Sequence, residues 1–250
     1  MSLSDIALLS GLIFAAAILY SSVGHAGASG YLAAMALFGL APAVMKPTAL
    51  TLNILVASIA VIRLRQAGLV NWRPLLPLVA GSIPLAFIGG SIQLPGAWYR
   101  VLVGLVLLAA SAKFFFDPRE SAAPDGARAV ESIPVGPALL AGGLIGLLSG
   151  LTGTGGGIFL SPLLLLFGWA GARQQAGITA PFILVNSIAG LAGNLVSLRS
   201  LPAELPYFVI AALLGAVVGT QLGIKWLSTR ALQRALGVVL VIAAVKFLVT

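Results

Sequence analysis

Apolar residues fall in blocks along this chain, and the blocks predict its elements. Ten occur, near residues 6–22, 28–41, 48–64, 74–92 and 98–116, then 136–151, 157–170, 178–194, 205–224 and 232–249. Barrel strands would alternate polar and apolar positions; these blocks do not, so they read as membrane helices. The stretch 28–41 and its counterpart 157–170 hold 14 residues each, roughly 21 Å of helix against a bilayer core of about 30 Å. Each half is therefore expected to open with a short, glycine-broken helical hairpin and to continue with three full spans. The polar interruption from Asp117 to Glu131, with Pro118, Pro124, Gly126 and charges of both signs, divides the chain nearly in half. The organisation read from it is a first transmembrane repeat over 1–116, a cytoplasmic linker over 117–135 and a second transmembrane repeat over 136–250.

The two halves repeat one another. At a constant offset of 129 residues, Gly24-His-Ala-Gly-Ala28 falls on Gly153-Thr-Gly-Gly-Gly157 and Leu37-Phe-Gly39 on Leu166-Phe-Gly168. The same register lays Ile54-Leu-Val-Ala-Ser-Ile-Ala60 on Ile183-Leu-Val-Asn-Ser-Ile-Ala189, identical at six of seven positions, and Gly90 on Gly219. Beyond a four-residue insertion, Lys113-Phe114 matches Lys246-Phe247.

Loop charge orients the repeats. Loop 63–73 carries Arg63, Arg65 and Arg73, whereas its partner 192–204 has Arg199 offset by Glu204. In the next pair the bias reverses: 93–100 has Arg100, but its partner holds Lys225, Arg230 and Arg234. Basic residues favour the cytoplasmic side, so equivalent loops of opposite bias belong on opposite sides. Five segments per half make such an inversion possible. The fold class expected is an all-α polytopic membrane protein of two inverted five-segment repeats, with loop 63–73, the linker and 225–234 in the cytoplasm and both termini outside.

Composition agrees. Of the 250 residues 60% are hydrophobic and 8% charged, where soluble domains carry about 25% charged; mean hydropathy is +1.10. The net charge of +8 sits beside the spans and reads as topology, so no nucleic-acid partner is expected. There are no cysteines, which excludes thiol chemistry. The N-terminus, Met1-Ser-Leu-Ser-Asp5, lacks a basic leader region, and the first span is expected to be retained.

The stretch Gly150-Leu-Thr-Gly-Thr-Gly-Gly-Gly157, continuing to Pro162, cannot be regular helix throughout, because each interior glycine costs about 1 kcal/mol relative to alanine. Opened backbone at membrane depth is tolerated where it is buried in protein or lines a cavity. Half-helices there offer unpaired amides and positive dipole ends, which suit an anion. The opposing explanation is that the glycines only permit close helix packing. The substrate-binding candidates are Ser21, Gly24, His25, Gly27 and Ser29 from the first break, Thr152, Gly153, Thr154, Gly155, Gly156 and Gly157 from the second, and the intramembrane amides Asn53 and Asn186. All six acids (Asp5, Asp117, Glu120, Asp125, Glu131, Glu204) lie near segment ends or in loops. A cation carrier keeps an acid inside, so an anionic or neutral substrate is expected. His25, the sole histidine, is either a neutral hydrogen-bonding group or the carrier of a coupled proton. Lys46 either attracts substrate or snorkels to the interface. There is no catalytic constellation, no metal-ligand cluster and no nucleotide loop, since the glycine run lacks a following Lys-Ser/Thr. No enzyme activity, cofactor or metal is expected.

The Gly150–Gly157 run with Pro162 beyond it, its degenerate copy at Gly24–Gly30 and the two-half layout resemble the TauE/SafE sulfite exporter family, also called the 4-toluene sulfonate uptake permease family, over about 6–249. The resemblance implies secondary transport of sulfur-containing anions such as sulfite, sulfonates or sulfoacetate across a bacterial inner membrane, linked to protons. The first copy departs from the family's glycine-rich pattern, reading Gly-His-Ala-Gly-Ala-Ser-Gly, which bears on pocket shape. The leading expectation is alternating access with the two glycine breaks facing each other near the midplane. A passive anion channel and a non-transporting scaffold subunit are the alternatives. The sequence leaves the oligomeric state open.

Overall fold

The computed structural model describes residues 1–116, 133–170 and 174–225, together with 241, 244, 245, 248 and 249. The helices are α1 (Leu3–Ser22), α2 (Ala28–Leu37), α3 (Pro42–Gln66), α4 (Trp72–Ser91), α5 (Gly96–Phe116), α6 (Val135–Thr152), α7 (Gly157–Leu166), α8 (Gln175–Gly193) and α9 (Leu205–Lys225), with a 3₁₀ turn over Leu195–Ser200. Among the described residues six helices, α1, α3, α4, α6, α8 and α9, are long and apolar enough to cross a bilayer. Residues 117–132 of the expected linker, the loop residues Arg230 and Arg234, most of the last block 232–249 and the Lys246-Phe247 match lie outside the described residues.

Local chemistry sets several boundaries. Ser2 caps α1, its hydroxyl accepting from the Asp5 amide at 3.1 Å while Asp5 accepts from the Ser2 amide at 3.2 Å, a reciprocal arrangement that satisfies two orphan donors. Pro42 stands in the first turn of α3, where its missing N–H costs nothing. That start corrects the expected block 48–64: Lys46 is inside the helix, not ahead of it. The short elements are shorter than expected, α2 and α7 having 10 residues each, about 15 Å of rise. In the expected hairpins the first limbs, α1 and α6, have 20 and 18 residues and are long enough to cross a bilayer; the second limbs are the short ones.

Glycine seams set the helix directions. Methyl groups at Gly142, Gly146 and Gly150 of α6 would strike the carbonyls of Leu78, Ser82 and Ala86 of α4 in the same order, so the two helices run parallel with backbones in contact, a small-residue crossing. On the far side Gly215 and Gly219 of α9 meet the Phe14 and Ile18 carbonyls of α1, again in parallel. Helices α3 and α8 run antiparallel, for Gly190 lies near Leu50 while Ala180 packs on Ala60 and Leu64. The equivalents α4 and α9 thus make matching contacts, α4 with α6 and α8, α9 with α1 and α3.

The surface is apolar, with Leu140, Leu144, Val196, Trp98 and Leu76 among its exposed side chains. The interior holds Ser21, His25, Lys46, Asn53, Ser149, Ser161, Thr179, Asn186 and Ser187. Apolar out and polar in is the arrangement lipid demands.

Candidate functional site

The second break is built by three left-handed glycines, Gly153, Gly155 and Gly156, at φ +82°, +74° and +81°, a conformation disfavoured for any residue with a Cβ. It lies between α3 and α8. A methyl at Gly153 would meet the Lys46 stem at 3.2 Å; one at Gly155 would meet Asn53 Nδ2 at 2.5 Å and Ser187 Oγ at 2.9 Å. Gly157 faces Ile183 and Thr179, so Thr179, Ile183 and Ser187, one turn apart, form the α8 wall. Gly142, Gly146 and Gly150 let helices touch, and Gly153 to Gly156 open the backbone.

Polar contacts converge there. Asn53 Nδ2 donates to the Thr154 carbonyl at 3.3 Å and to Ser187 Oγ at 3.4 Å, and its Oδ1 is buried without a partner. The Thr152 and Thr154 hydroxyls pair at 2.9 Å, and Tyr99 Oη donates to the Thr152 carbonyl at 3.0 Å. Among the described residues, the amides of Thr154 through Gly157 donate to no backbone carbonyl. They are the orphan donors that precede and begin α7.

The first break is held by the opposite half. Gly24 backs onto Ala176 at the start of α8, and His25 Nε2 is 2.7 Å from Ser161 Oγ of α7, which is 3.3 Å from Thr179 Oγ1. His25 Nδ1 lies 3.2 Å from the Val23 carbonyl. Gly27, at φ +103°, precedes α2 and faces the Tyr31 ring. Ser29 Oγ pairs with Tyr20 Oη at 2.6 Å, so it serves the α1–α2 contact. Ser21 is buried with Oγ unpartnered.

The structure thus brings together Asn53, Thr152, Thr154, Gly155, Gly156 and Gly157, and joins His25 to them through Ser161 and Thr179. Asn186 is turned away, donating to Ser82 Oγ of α4 at 3.0 Å and to the Phe182 carbonyl at 2.8 Å; it bonds helix to helix. The breaks do not oppose each other face to face. Gly24 abuts the start of α8 and Gly153 the early turns of α3, and since those helices are antiparallel, the breaks are staggered along the pair. Sequence reasoning missed Ser161. Its spacing of four from Gly157 puts both on one face of α7, and that was its signal. Lys46 neither snorkels nor offers a free ammonium: Nζ donates to the Gly89, Gly90 and Ile92 carbonyls. A cavity of about 260 Å³ beside it is lined by Gln93, Tyr99, Asn194 and Ser197 among others.

Chemically the second break offers amides, hydroxyls and the Asn53 carboxamide, donors that match an oxyanion. Among the described residues the acids are Asp5 and Glu204, the first capping α1 and the second accepting from the Met1 ammonium at 3.4 Å, both away from the breaks. A bundle with a lipid-facing exterior and an opened, donor-rich backbone inside belongs to the polytopic membrane transporters.

The comparisons narrow that class. Residues 9–247 match the sulfite exporter TauE/SafE family, and the chain belongs to it. It is 39% identical, over 238 residues covering 94% of this chain and 95% of the relative, to the probable membrane transporter protein y4hK of Sinorhizobium fredii. No solved structure gives a significant match. The chain is accordingly a multi-pass membrane protein of a transporter family, not an enzyme, and small anions are its general cargo.

Proposed function

We propose that this protein is a secondary transporter of small sulfur-containing anions, sulfite or an organosulfonate, working by alternating access in a bacterial inner membrane. The observation that carries the reading is the Gly153–Gly157 break, where the amides of Thr154 through Gly157 donate to no backbone carbonyl and lie beside Asn53 and Ser187 with no described carboxylate near them. Substrate would be held by these amides with Asn53, Thr152 and Thr154, and reached from the first break through His25, Ser161 and Thr179.

The moving parts would be two inverted repeats of five segments. The opposed directions of α3 and α8, and the matching contacts of α4 and α9, support this arrangement. Loop charge puts the Arg63 end in the cytoplasm. His25 is the candidate for proton coupling, because imidazole is the side chain whose ordinary titration falls near neutral pH.

The test is accumulation of sulfite, thiosulfate and short sulfonates in proteoliposomes, with and without a pH gradient. Substrate gathered against its own gradient supports the reading. Transport of none of these anions overturns it. Large currents without accumulation would instead mark a passive channel.

A further inference from the structure

Two cations enter the bundle from opposite ends of α3, and both hold a fourth helix. Lys46, 7% exposed, donates from Nζ to the carbonyls of Gly89 at 3.3 Å, Gly90 at 2.9 Å and Ile92 at 3.2 Å. These belong to the end of α4, where carbonyls lack helical partners and the dipole is negative. Arg63 Nη1 donates to the Val217 carbonyl at 3.0 Å and to Thr220 Oγ1 at 2.7 Å, on α9. The offset of 129 carries Ile88, Gly90 and Ser91 onto Val217, Gly219 and Thr220, so the two cations grip the equivalent turn of equivalent helices. Each turn also carries a hydroxyl bonded to its own helix, Ser91 Oγ donating to the Ile88 carbonyl at 2.8 Å and Thr220 Oγ1 to the Ala216 carbonyl at 2.7 Å, with that of Val217 at 3.3 Å. The same offset puts Gln175 and Ala192 on α8 opposite Lys46 and Arg63, so the second half does not return the arrangement.

We propose that Lys46 and Arg63 are opposed latches, positioning residues that each close one end of the transport pathway by fixing a fourth helix to α3. This rests on the alternating-access reading above. Seventeen residues separate them, about 26 Å of helix rise, so each can govern one end without the other. Neither forms an ion pair among the described residues; carbonyls and one hydroxyl hold them, and such dipoles can be exchanged for an anion. At the Lys46 end the cavity of about 260 Å³ reaches the lysine, and the lysine stem lies on Gly153. Release of Lys46 from α4 opens that cavity toward the glycine break and frees an ammonium to meet the incoming anion. Release of Arg63 from α9 does the corresponding work at the other end. Lys46 joins two helices of the first half and Arg63 joins the two halves, so opening the two ends in turn requires α4 or α9 to part from α3, one grip holding while its opposite yields.

The natural absence of cysteine allows a direct test. A single reporter, Ser187→Cys, lies between the two ends and is probed with a small membrane-impermeant methanethiosulfonate in right-side-out and inside-out vesicles. Lys46→Met should raise labelling from the Lys46 face about tenfold and lower it from the other, and Arg63→Met should do the reverse. Thr220→Val, which removes an Arg63 acceptor and keeps the arginine, should shift labelling in the Arg63→Met direction and serves if that variant fails to insert. Lys46→Arg serves likewise at the other end, restoring the wild-type pattern that Lys46→Met disturbs. Equal changes from both faces, or none, overturn the proposal. The assay uses no substrate. Reciprocal labelling without sulfite or sulfonate flux would leave the latches standing and remove the substrate reading; flux without reciprocity would do the opposite.

Discussion

Gly155→Ala should destabilise the protein far more than an ordinary glycine replacement. The residue sits at φ +74°, and left-handed backbone costs a residue with a Cβ roughly 1–2 kcal/mol. Its new methyl would lie 2.5 Å from Asn53 Nδ2 and 2.9 Å from both Ile183 Cγ2 and Ser187 Oγ. Overpacking of that kind costs about 1–3 kcal/mol, so the sum is about 2–5 kcal/mol. Gly136→Ala, in the first turn of α6 with nothing within 4 Å of the added methyl, is the control; it should stabilise by up to about 1 kcal/mol. The double variant Gly155→Ala/Asn53→Ala separates the two contributions. Removing the carboxamide relieves the contact and leaves the dihedral strain, so the pair should fall short of additivity by about 1 kcal/mol. Thermal unfolding in detergent, with all variants purified alike, reads each difference. A Gly155→Ala protein as stable as wild type would refute the assignment of Gly155 to opened backbone, and additivity in the double variant would refute the Asn53 contact.

Other substitutions sort the polar interior into transport and packing roles. Gly156→Leu, which would drive a side chain against Ile145 and Phe182, should abolish sulfonate uptake while the protein still inserts, as checked by flux and by detergent-solubilised yield. Asn186→Ala should leave half-saturation for substrate unchanged and lower stability by about 0.6 kcal/mol, the ordinary size of an interhelical hydrogen bond in a membrane; a substrate effect there would return Asn186 to the site. If His25 carries the coupled proton, His25→Gln should flatten the dependence of uptake on an imposed pH gradient between about pH 5 and 8, and Ser161→Ala should shift it. Gly146→Ile should separate α4 from α6, because its side chain would strike the Ser82 carbonyl, and lower the melting temperature without changing which anion is carried.

Much of the architecture was legible because a bilayer leaves a chain few choices. Spans must be apolar and long, so the blocks located α3, α4, α6, α8 and α9 to within a few residues, apart from the early start of α3. The repeat was legible in Ile54–Ala60 and Ile183–Ala189, and the structure makes these the antiparallel centre of the bundle. Contacts between helices were less legible. Asn53 and Asn186 look alike in sequence, flanking or within the same Ile-Leu-Val stretch, yet they are not equivalent: position 53 pairs with Phe182 in the repeat, and 186 with Ala57. A helix turns about 100° per residue, so each carboxamide leaves α3 or α8 on its own bearing, one toward the glycine break and the other toward Ser82. Lys46 was unreadable for another reason. Its acceptors are backbone carbonyls, which every residue carries, so nothing in the composition around position 89 marks them.

The two breaks are each held by the other half, and that bears on how binding and movement are joined. Position 25 and position 154 correspond in the repeat. His25 reaches Ser161 across the halves, and the Thr154 carbonyl receives Asn53 across them in the reverse sense. Gly24 rests on Ala176, and Gly153 on Lys46. A rigid rotation of one half therefore cannot leave either break unchanged, since the wall each rests on belongs to the part that moves. An anion seated on the Thr154–Gly157 amides would contact Asn53 from one half and Ser187 from the other, and its affinity would depend on their separation. A ligand shifts a conformational equilibrium only by its differential affinity for the two states, and a site divided between the halves supplies that difference. The chemical asymmetry of the copies gives it a direction. The His25 contact can change with protonation, while the Thr154 contact, a carbonyl with a carboxamide, cannot. Any proton dependence should consequently appear in the step that rearranges the first break, and leave the affinity of the second break for its anion nearly constant.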